Sequence, residues 1–323
     1  MLEKKVLGLT GIEVSEICFG SLTLGPLQAR MSLGDGSNLL EYAFSRGINF
    51  IDTAEYYETY PYIKEFLRDK IEKVKINRED IVIATKSFAF DKKGAERSLG
   101  RAMKEMGVSY LDVFLLHEQE SEHTIRGHWE AAEYFIKAKE KGYIRAFGIS
   151  THSVNAVQAA LKIPEIEIIH PLINKKGLGI INGTRDEMIH SINLANELGK
   201  GIYGMKVLGG GNLISEYESS MDFVLALKSL HSIAVGMQSK AEIDANIEYV
   251  KNRSISEGLK NMLKTKKRKL HIEKYCSGCG MCVNRCGSGA LEIVKGKAIV
   301  NVDKCVLCGY CSAVCKEFCI KVI

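Results

Sequence analysis

NFIDTAEYY (residues 49–57), IVIATKS (81–87) and YLDVFLLHE (110–118) share one form: a short apolar run closed by a polar residue. Runs this short, bounded by polar and turn residues, read as fully buried strands. Between the second and third, Ala95, Leu99, Ala102 and Met106 recur at helical spacing. The same alternation extends in both directions. Strands are predicted at 17–19, 49–52, 81–85, 112–116, 146–149, 168–170, 201–205 and 232–235. Amphipathic helices are predicted at 39–46, 95–106, 129–141, 187–198 and 241–251. Eight short strands separated by helices within about 250 residues specify the α/β class, as a (β/α)8 TIM barrel. Residues 4–14, with Gly8 and Gly11 at turn positions, predict a hairpin capping the barrel floor. An open doubly wound sheet is the alternative, but no G-x-G-x-x-G follows the first strand.

The composition changes near the end of the chain. Nine of the ten cysteines lie in the last 48 residues, in two copies of C-x2-C-x2-C-x3-C. One copy is Cys276, Cys279, Cys282 and Cys286; the other is Cys305, Cys308, Cys311 and Cys315. This spacing wraps three thiolates around one iron–sulfur cube and supplies a fourth elsewhere. Zinc sites do not repeat a triple-plus-one pattern, and a disulfide scaffold implies secretion. The opening MLEKKVLGLTGIEVSE has no apolar core of a signal peptide, and no segment reaches the ~18 apolar residues of a membrane span. Oxygen-labile clusters and no signal together predict a cytoplasmic protein of an organism living with little oxygen. The net charge of +5 is modest for 323 residues. The basic run KTKKRK at 264–269 reads as a solvated linker rather than a nucleic-acid patch. The expected organisation is a barrel over 1–262, a basic linker over 263–270 and a small α+β ferredoxin-like domain over 271–323.

The tail resembles the bacterial two-cluster ferredoxins over about residues 271–323. The resemblance implies two [4Fe–4S] clusters with crossed ligation: Cys276, Cys279, Cys282 and Cys315 on one, Cys305, Cys308, Cys311 and Cys286 on the other. The proline usual after the fourth cysteine is Gly287 in one copy and Lys316 in the other, so no ligand is lost. Cys319 has no place in the pattern and reads as a small packing residue.

In a barrel of this type chemistry sits at the C-terminal ends of the strands. Asp52 ends the second strand, Tyr57 follows it by five residues, Lys86 ends the third and His117 ends the fourth. Each alone is as well explained by a helix cap, a solvated cation or a core histidine; four at one mouth are not. Here the chain from about Glu3 to Ser256 resembles the aldo-keto reductases, in IDTAEYY, IVIATKS, LDVFLLH, GYIRAFGIS and GMQSKAEIDANI. The family's Asp, Tyr, Lys and His map onto Asp52, Tyr57, Lys86 and His117, and Tyr56 becomes a packing residue. A phenol of ordinary pKa near ~10 is a poor acid at neutral pH without a cation nearby. The implied roles are Tyr57 as general acid, Lys86 as the positive field, Asp52 as its anchor and His117 as the group orienting the carbonyl.

The resemblance also implies NADP or NAD extended across the barrel mouth. It assigns dinucleotide contacts to Gly20, Ser150, Asn174, Met205, Lys206, Leu208, Gly210, Gly236, Met237 and Asn246. Ser150 and Asn174 match positions that hold the nicotinamide carboxamide, and Asn246 matches an adenine-binding residue. GMKVLGGG matches the loop that cradles the pyrophosphate, with Met205 where many relatives stack an aromatic ring. The family's grips on the 2′-phosphate align with Gly236, Met237 and Glu242, so weak discrimination for NADPH is expected. Phe88 and Phe90 are candidates for lining the pocket, Trp129 reads as a packing residue, and residues 28–38 read as a flexible pocket edge.

The reading that follows is an oxidoreductase reducing a small carbonyl compound, with an accessory ferredoxin domain. The alternatives are an electron-bridging enzyme serving an external redox-protein partner, and a non-catalytic scaffold for an electron-transfer assembly. The intact set of four polar residues argues against the scaffold. Neither a nucleic acid nor a membrane is an expected partner.

Overall fold

A computed structural model describes residues 2–69, 76–264 and 268–323. Its floor is an antiparallel hairpin, β1 (Lys4–Val6) and β2 (Glu13–Ser15). Eight parallel strands then close into a barrel: β3 (Ile17–Gly20), β4 (Phe50–Asp52), β5 (Val82–Ser87), β6 (Leu111–Leu116), β7 (Ile144–Thr151), β8 (Ile168–Pro171), β9 (Gly201–Gly204) and β10 (Ser232–Val235). They pair in sequence order, and β10 returns to β3.

Two apolar layers hold this ring. Phe50, Val82, Val113, Leu115 and Tyr203 pack inside the barrel, and Leu7, Ile12 and Val14 of the floor hairpin close its bottom. A larger layer lies between the strands and the helices, including Leu99, Ala102 and Met106 from the helix Lys92–Met106. Trp129 packs half-buried at its margin. Because side chains alternate along a strand, the residues closing β4, β5 and β6 come out at one rim.

One expectation is corrected here. Residues 33–38, read as a flexible edge, form the first turns of the helix Leu33–Ser45. Ser32 caps it by accepting from the Asp35 N–H. Gly34, Gly36 and Asn38 are weak helix formers, which hid the start of the helix. Gly36 stands there because the Tyr62 ring leaves no room for a Cβ.

The C-terminal domain has two small antiparallel pairs, β11 (Leu270–Ile272) with β14 (Ile320–Val322), and β12 (Leu291–Val294) with β13 (Lys297–Val300). Pairing reaches back to Lys269, which exchanges backbone hydrogen bonds with Ile323 inside the stretch read as linker. Residues 265–267 of that stretch lie outside the described residues. No described helix is long and apolar enough to cross a membrane.

The small domain sits on the barrel mouth. β14 runs along the loop Gly209–Gly211, and Asn212 Nδ2 donates to Ile320 O at 3.0 Å. Phe318, 2% exposed, is buried with Leu172 and Met205 at the ends of β8 and β9.

Candidate active site

Asp52 and Lys86 stand on neighbouring strands, and both are buried. Lys86 Nζ donates to Asp52 Oδ2 at 2.6 Å and to Thr53 O at 2.8 Å. The second carboxylate oxygen accepts from Tyr203 Oη at 3.0 Å. His170 stacks on Tyr203, with ring centroids 3.8 Å apart and planes at 16°, and its Nδ1 donates to Tyr203 O at 2.6 Å. Burial pushes the His170 pKa down to about 4, so it is neutral against Asp52.

Tyr57 and His117 lie above this pair. Lys86 Nζ is 4.9 Å from the centre of the Tyr57 ring, and the Tyr57 and His117 rings meet edge to face at 5.7 Å. Phe88 stacks on the other face of His117 at 4.4 Å. Burial, then the charges of Lys86 and Lys206, push His117 well below the ordinary histidine range. It is therefore neutral and keeps one N–H donor. Its Nδ1 is buried without a hydrogen-bond partner among the described residues.

The direction for Tyr57 differs from the sequence expectation. Burial, then Asp52, Glu118, Tyr275 and Glu273, raise its phenol well above the usual value. Lys86 spends its charge on Asp52, so the pair offers the phenol little net positive field. Tyr275 and Glu273 belong to the C-terminal domain.

An open groove of about 710 Å³ adjoins the mouth, lined by Phe88, Phe90, Arg97 and Arg101 among others. Tyr56, read as a packing residue, is half-exposed on this groove and meets Phe88 edge to face at 6.4 Å. Phe88 and Phe90 both face it, as candidate pocket residues should.

Several positions assigned to a dinucleotide make contacts within the protein. Ser150 Oγ accepts from the Glu118 N–H at 3.0 Å. Asn174 uses its amide on Leu178 O, Leu178 N and Lys176 N within its own turn. Asn246 donates to Glu242 O and accepts from Tyr217 Oη. Met205 packs on Phe318, and Lys206 Nζ lies 3.1 Å from His152 Nε2. Leu208 is half-buried at the start of the glycine loop. Gly210 lies against the Lys321 side chain, and a Cβ on Gly211 would strike Val322 O. Gly20 and Gly236 approach each other through their backbones, and Met237 O accepts from Thr23 Oγ1. Arg268 Nη2 donates to Glu242 at 3.2 Å, so a cation stands where the sequence showed only a carboxylate. A dinucleotide does not fit the family's place while residues 318–322 hold it.

The cysteines are all unbridged. Cys286, Cys305, Cys308 and Cys311 line one cavity with Leu270, Leu291 and Tyr310. Cys276, Cys282 and Cys315 share one packed cluster of the small domain, where burial and then the charges of Cys315 and Cys276 raise the Cys282 thiol. Backbone N–H groups point at sulfur in three places: Gly278 to Cys276, Ala290 to Cys286 and Cys319 to Cys315, at 3.3–3.4 Å. Such donors favour thiolates and suit an iron–sulfur cube. Among the described residues no three His, Cys, Asp or Glu side chains converge on one point as a lone metal ion needs. A four-iron cube takes one sulfur at each iron instead. Cys319 is buried as expected, with its sulfur 3.3 Å from that of Cys315.

Tyr203, His170, Phe318 and Arg268 were not singled out by sequence reasoning. His170 closes a strand at the same rim as Lys86, a signal that pointed to it; the other three carried none.

Two family models match the chain: the aldo/keto reductase family over residues 16–269, and the 4Fe-4S dicluster domain over 268–316. L-galactose dehydrogenase of Arabidopsis thaliana is 23% identical over 286 residues, covering 77% of this chain and 88% of that one. A probable aldo-keto reductase of Glycine max is 31% identical over 217 residues, covering 64% and 59%. Methylglyoxal reductase of Escherichia coli is 26% identical over 176 residues, covering 52% and 62%. Among solved structures, an aldo-keto reductase from Bacillus halodurans in its holo form superposes with a TM-score of 0.66 at 20% identity, over 82% of this chain and 96% of that one. A putative aldo-keto reductase from Pseudomonas aeruginosa gives 0.64 at 22% identity, over 77% and 94%.

Proposed function

Because this chain belongs to the aldo/keto reductase family, we propose that its barrel interconverts a small carbonyl compound and the alcohol, with Tyr57 delivering the proton to oxygen. The observation that carries this reading is the Lys86–Asp52 pair buried beneath the Tyr57 ring, with neutral His117 against the same ring. A carbonyl oxygen at this mouth accepts from the Tyr57 hydroxyl and a His117 N–H. As negative charge grows on that oxygen it becomes a stronger base than a phenoxide, and the Tyr57 proton crosses to it. The phenoxide left behind faces the Lys86 ammonium, which Asp52 and Thr53 O hold in position. In the oxidative direction Tyr57 takes the proton back.

Family membership supports NADH or NADPH as the source of the electron pair. In the docked arrangement Phe318 packs on Met205, and Lys321 and Val322 lie against Gly210 and Gly211, where the family would lay the nucleotide. The Arg268–Glu242 pair removes the reason to expect repulsion of a 2′-phosphate, so either nucleotide suits the adenosine end.

The C-terminal domain completes the reading with two [4Fe–4S] clusters. One uses Cys276, Cys279, Cys282 and Cys315, and the other Cys305, Cys308, Cys311 and Cys286. The cavity lined by the second set supports the crossed assignment. Bound clusters supply one-electron transfer. A second reading, electron exchange between the barrel site and an external redox protein, is favoured by the seating of the small domain on the barrel mouth, with Phe318 buried on Met205 and β14 along the glycine loop.

The test is anaerobic stopped-flow absorbance of cluster-replete protein mixed with NADH or NADPH and a panel of aldehydes and ketones. Carbonyl-dependent loss of nicotinamide absorbance that disappears in Tyr57→Phe, with the iron–sulfur band unchanged, is the expected result. Bleaching of that band at the rate of turnover gives the second reading. No turnover with any carbonyl, from either reduced nucleotide or a reduced viologen, sinks both.

A further inference from the structure

The barrel mouth carries a second domain at the place where the family lays its dinucleotide. The contacts are specific along its length. The Phe318 ring is 2% exposed between Leu172 and Met205, the residue aligned with the nicotinamide-stacking position. Lys206 Nζ lies 5.2 Å from the centre of the same ring, and the His152 ring meets it edge to face at 6.2 Å. β14 follows the glycine loop that would cradle a pyrophosphate, tied to it by the Asn212 side chain. Gly211, at φ +87°, admits the strand only because it has no Cβ. At the far end Arg268 ties the start of the domain to Glu242. One body therefore spans the nicotinamide, pyrophosphate and adenosine positions together.

We propose that this face of the barrel is the seat of the chain's own ferredoxin-like domain, and that docking and dinucleotide binding exclude one another. The inference rests on the family's placement of NAD(P)H, taken up above as the supported electron source. With the domain docked, the Phe318 ring is buried on Met205 and β14 lies along the glycine loop. With residues 318–322 lifted away, Met205 and the glycine loop open to a nucleotide. Only the lifted form binds it, so the apparent dissociation constant is the intrinsic one divided by the lifted fraction.

The experiment is anaerobic titration of cluster-replete full chain with NADH and, separately, NADPH, together with hydrogen exchange over residues 318–323. Phe318→Ala removes the buried ring. Asn212→Ala weakens the tether from the barrel side and leaves the cysteine loops untouched. Iron content is checked for both variants. The expected result is weak binding to the wild type, at least tenfold tighter binding to each iron-replete variant, and faster exchange at 318–323 when nucleotide is added. Tight wild-type binding with 318–323 still protected overturns the exclusion and leaves the electron-source reading standing. Failure of both nucleotides to bind wild type and both variants overturns the exclusion and that reading together.

Discussion

Replacing Tyr57 by Phe separates chemistry from structure at this site. The ring keeps its edge-to-face contact with His117 and its place above Lys86. Deleting the hydroxyl therefore removes little packing, and stability should move by no more than about 0.5 kcal/mol, as for surface substitutions. The proton donor is gone, however. General acid catalysis contributes about 10²–10⁴-fold, or about 2.7–5.4 kcal/mol of barrier at ~1.36 kcal/mol per decade. The loss should fall on kcat, with KM changed little, because the proton is needed only as charge develops on oxygen. The pH profile gives an independent sign. Burial and the carboxylates raise the Tyr57 phenol above its ordinary value near ~10. The acid therefore stays protonated across neutral pH, and reduction should decline only above about pH 10. The assay is steady-state carbonyl reduction on iron-replete protein from pH 6 to 10.5, alongside denaturation of both proteins. A Tyr57→Phe enzyme retaining more than a tenth of wild-type kcat, with equal iron content, would refute Tyr57 as the acid.

Three further outcomes follow from the same geometry. Lys86→Met strands the Asp52 carboxylate in the barrel with Tyr203 as its remaining donor, and should cost about 3–5 kcal/mol of stability; urea unfolding followed by the single tryptophan, Trp129, reads it, and a loss below 1 kcal/mol would contradict the picture. His170, with its pKa lowered to about 4 by burial, adds stability that is fully present above ~6.5 and is lost as pH falls toward 4, about 3 kcal/mol in all. His170→Gln should therefore lose less stability than wild type between pH 7 and 4.5, and equal losses would remove His170 from the account. Under crossed ligation Cys286 and Cys305 hold the same cluster, so Cys286→Ala should halve iron and acid-labile sulfide and adding Cys305→Ala should remove no more; loss of all the iron in the double variant contradicts the crossed ligation.

The barrel was legible because short apolar runs alternate with helical patterns, and three consecutive runs close on a residue whose chemistry contradicts the run before it. Asp52, Lys86 and His117 announce a rim as well as a strand, and the structure brings all three to one rim with Tyr57 above them. The helix start at Leu33 was not legible, since its first turn is built from residues that read as a loop. The sign of the Tyr57 shift was out of reach for a different reason. It depends first on burial of the phenol and then on acidic groups, from Asp52 to Glu273, that only the fold brings near it. Tyr203 and Arg268 likewise act through partners 151 and 26 residues away. Phe318 lies next to the cysteine pattern, and nothing local says that its ring belongs to the barrel's core.

The two accounts of electron supply share one proton apparatus and part company at residues 318–322. Tyr57, Lys86, Asp52 and His117 answer only to charge on a substrate oxygen, so their chemistry is the same whether two electrons arrive together or one at a time. The difference lies in what may stand beside them. A hydride donor must lie in van der Waals contact with the reacting carbon, whereas a cluster transfers electrons across a gap. The seat holding Phe318 is next to Met205 at the end of β9, and Phe318 lies three residues along the chain from Cys315, one of the proposed cluster ligands. Under the proposed exclusion, docking would trade a contact donor for a distance donor at one and the same site. A chain needing only the first would gain from a free groove, and a chain needing only the second would have no use for the glycine loop except as a bed for β14. The retention of both predicts that dinucleotide binding depends on the state of the C-terminal domain. Removing iron with a chelator should therefore tighten NADH binding in the wild type and leave it unchanged in Phe318→Ala. An equal response in both proteins would mean that the clusters do not govern the seat.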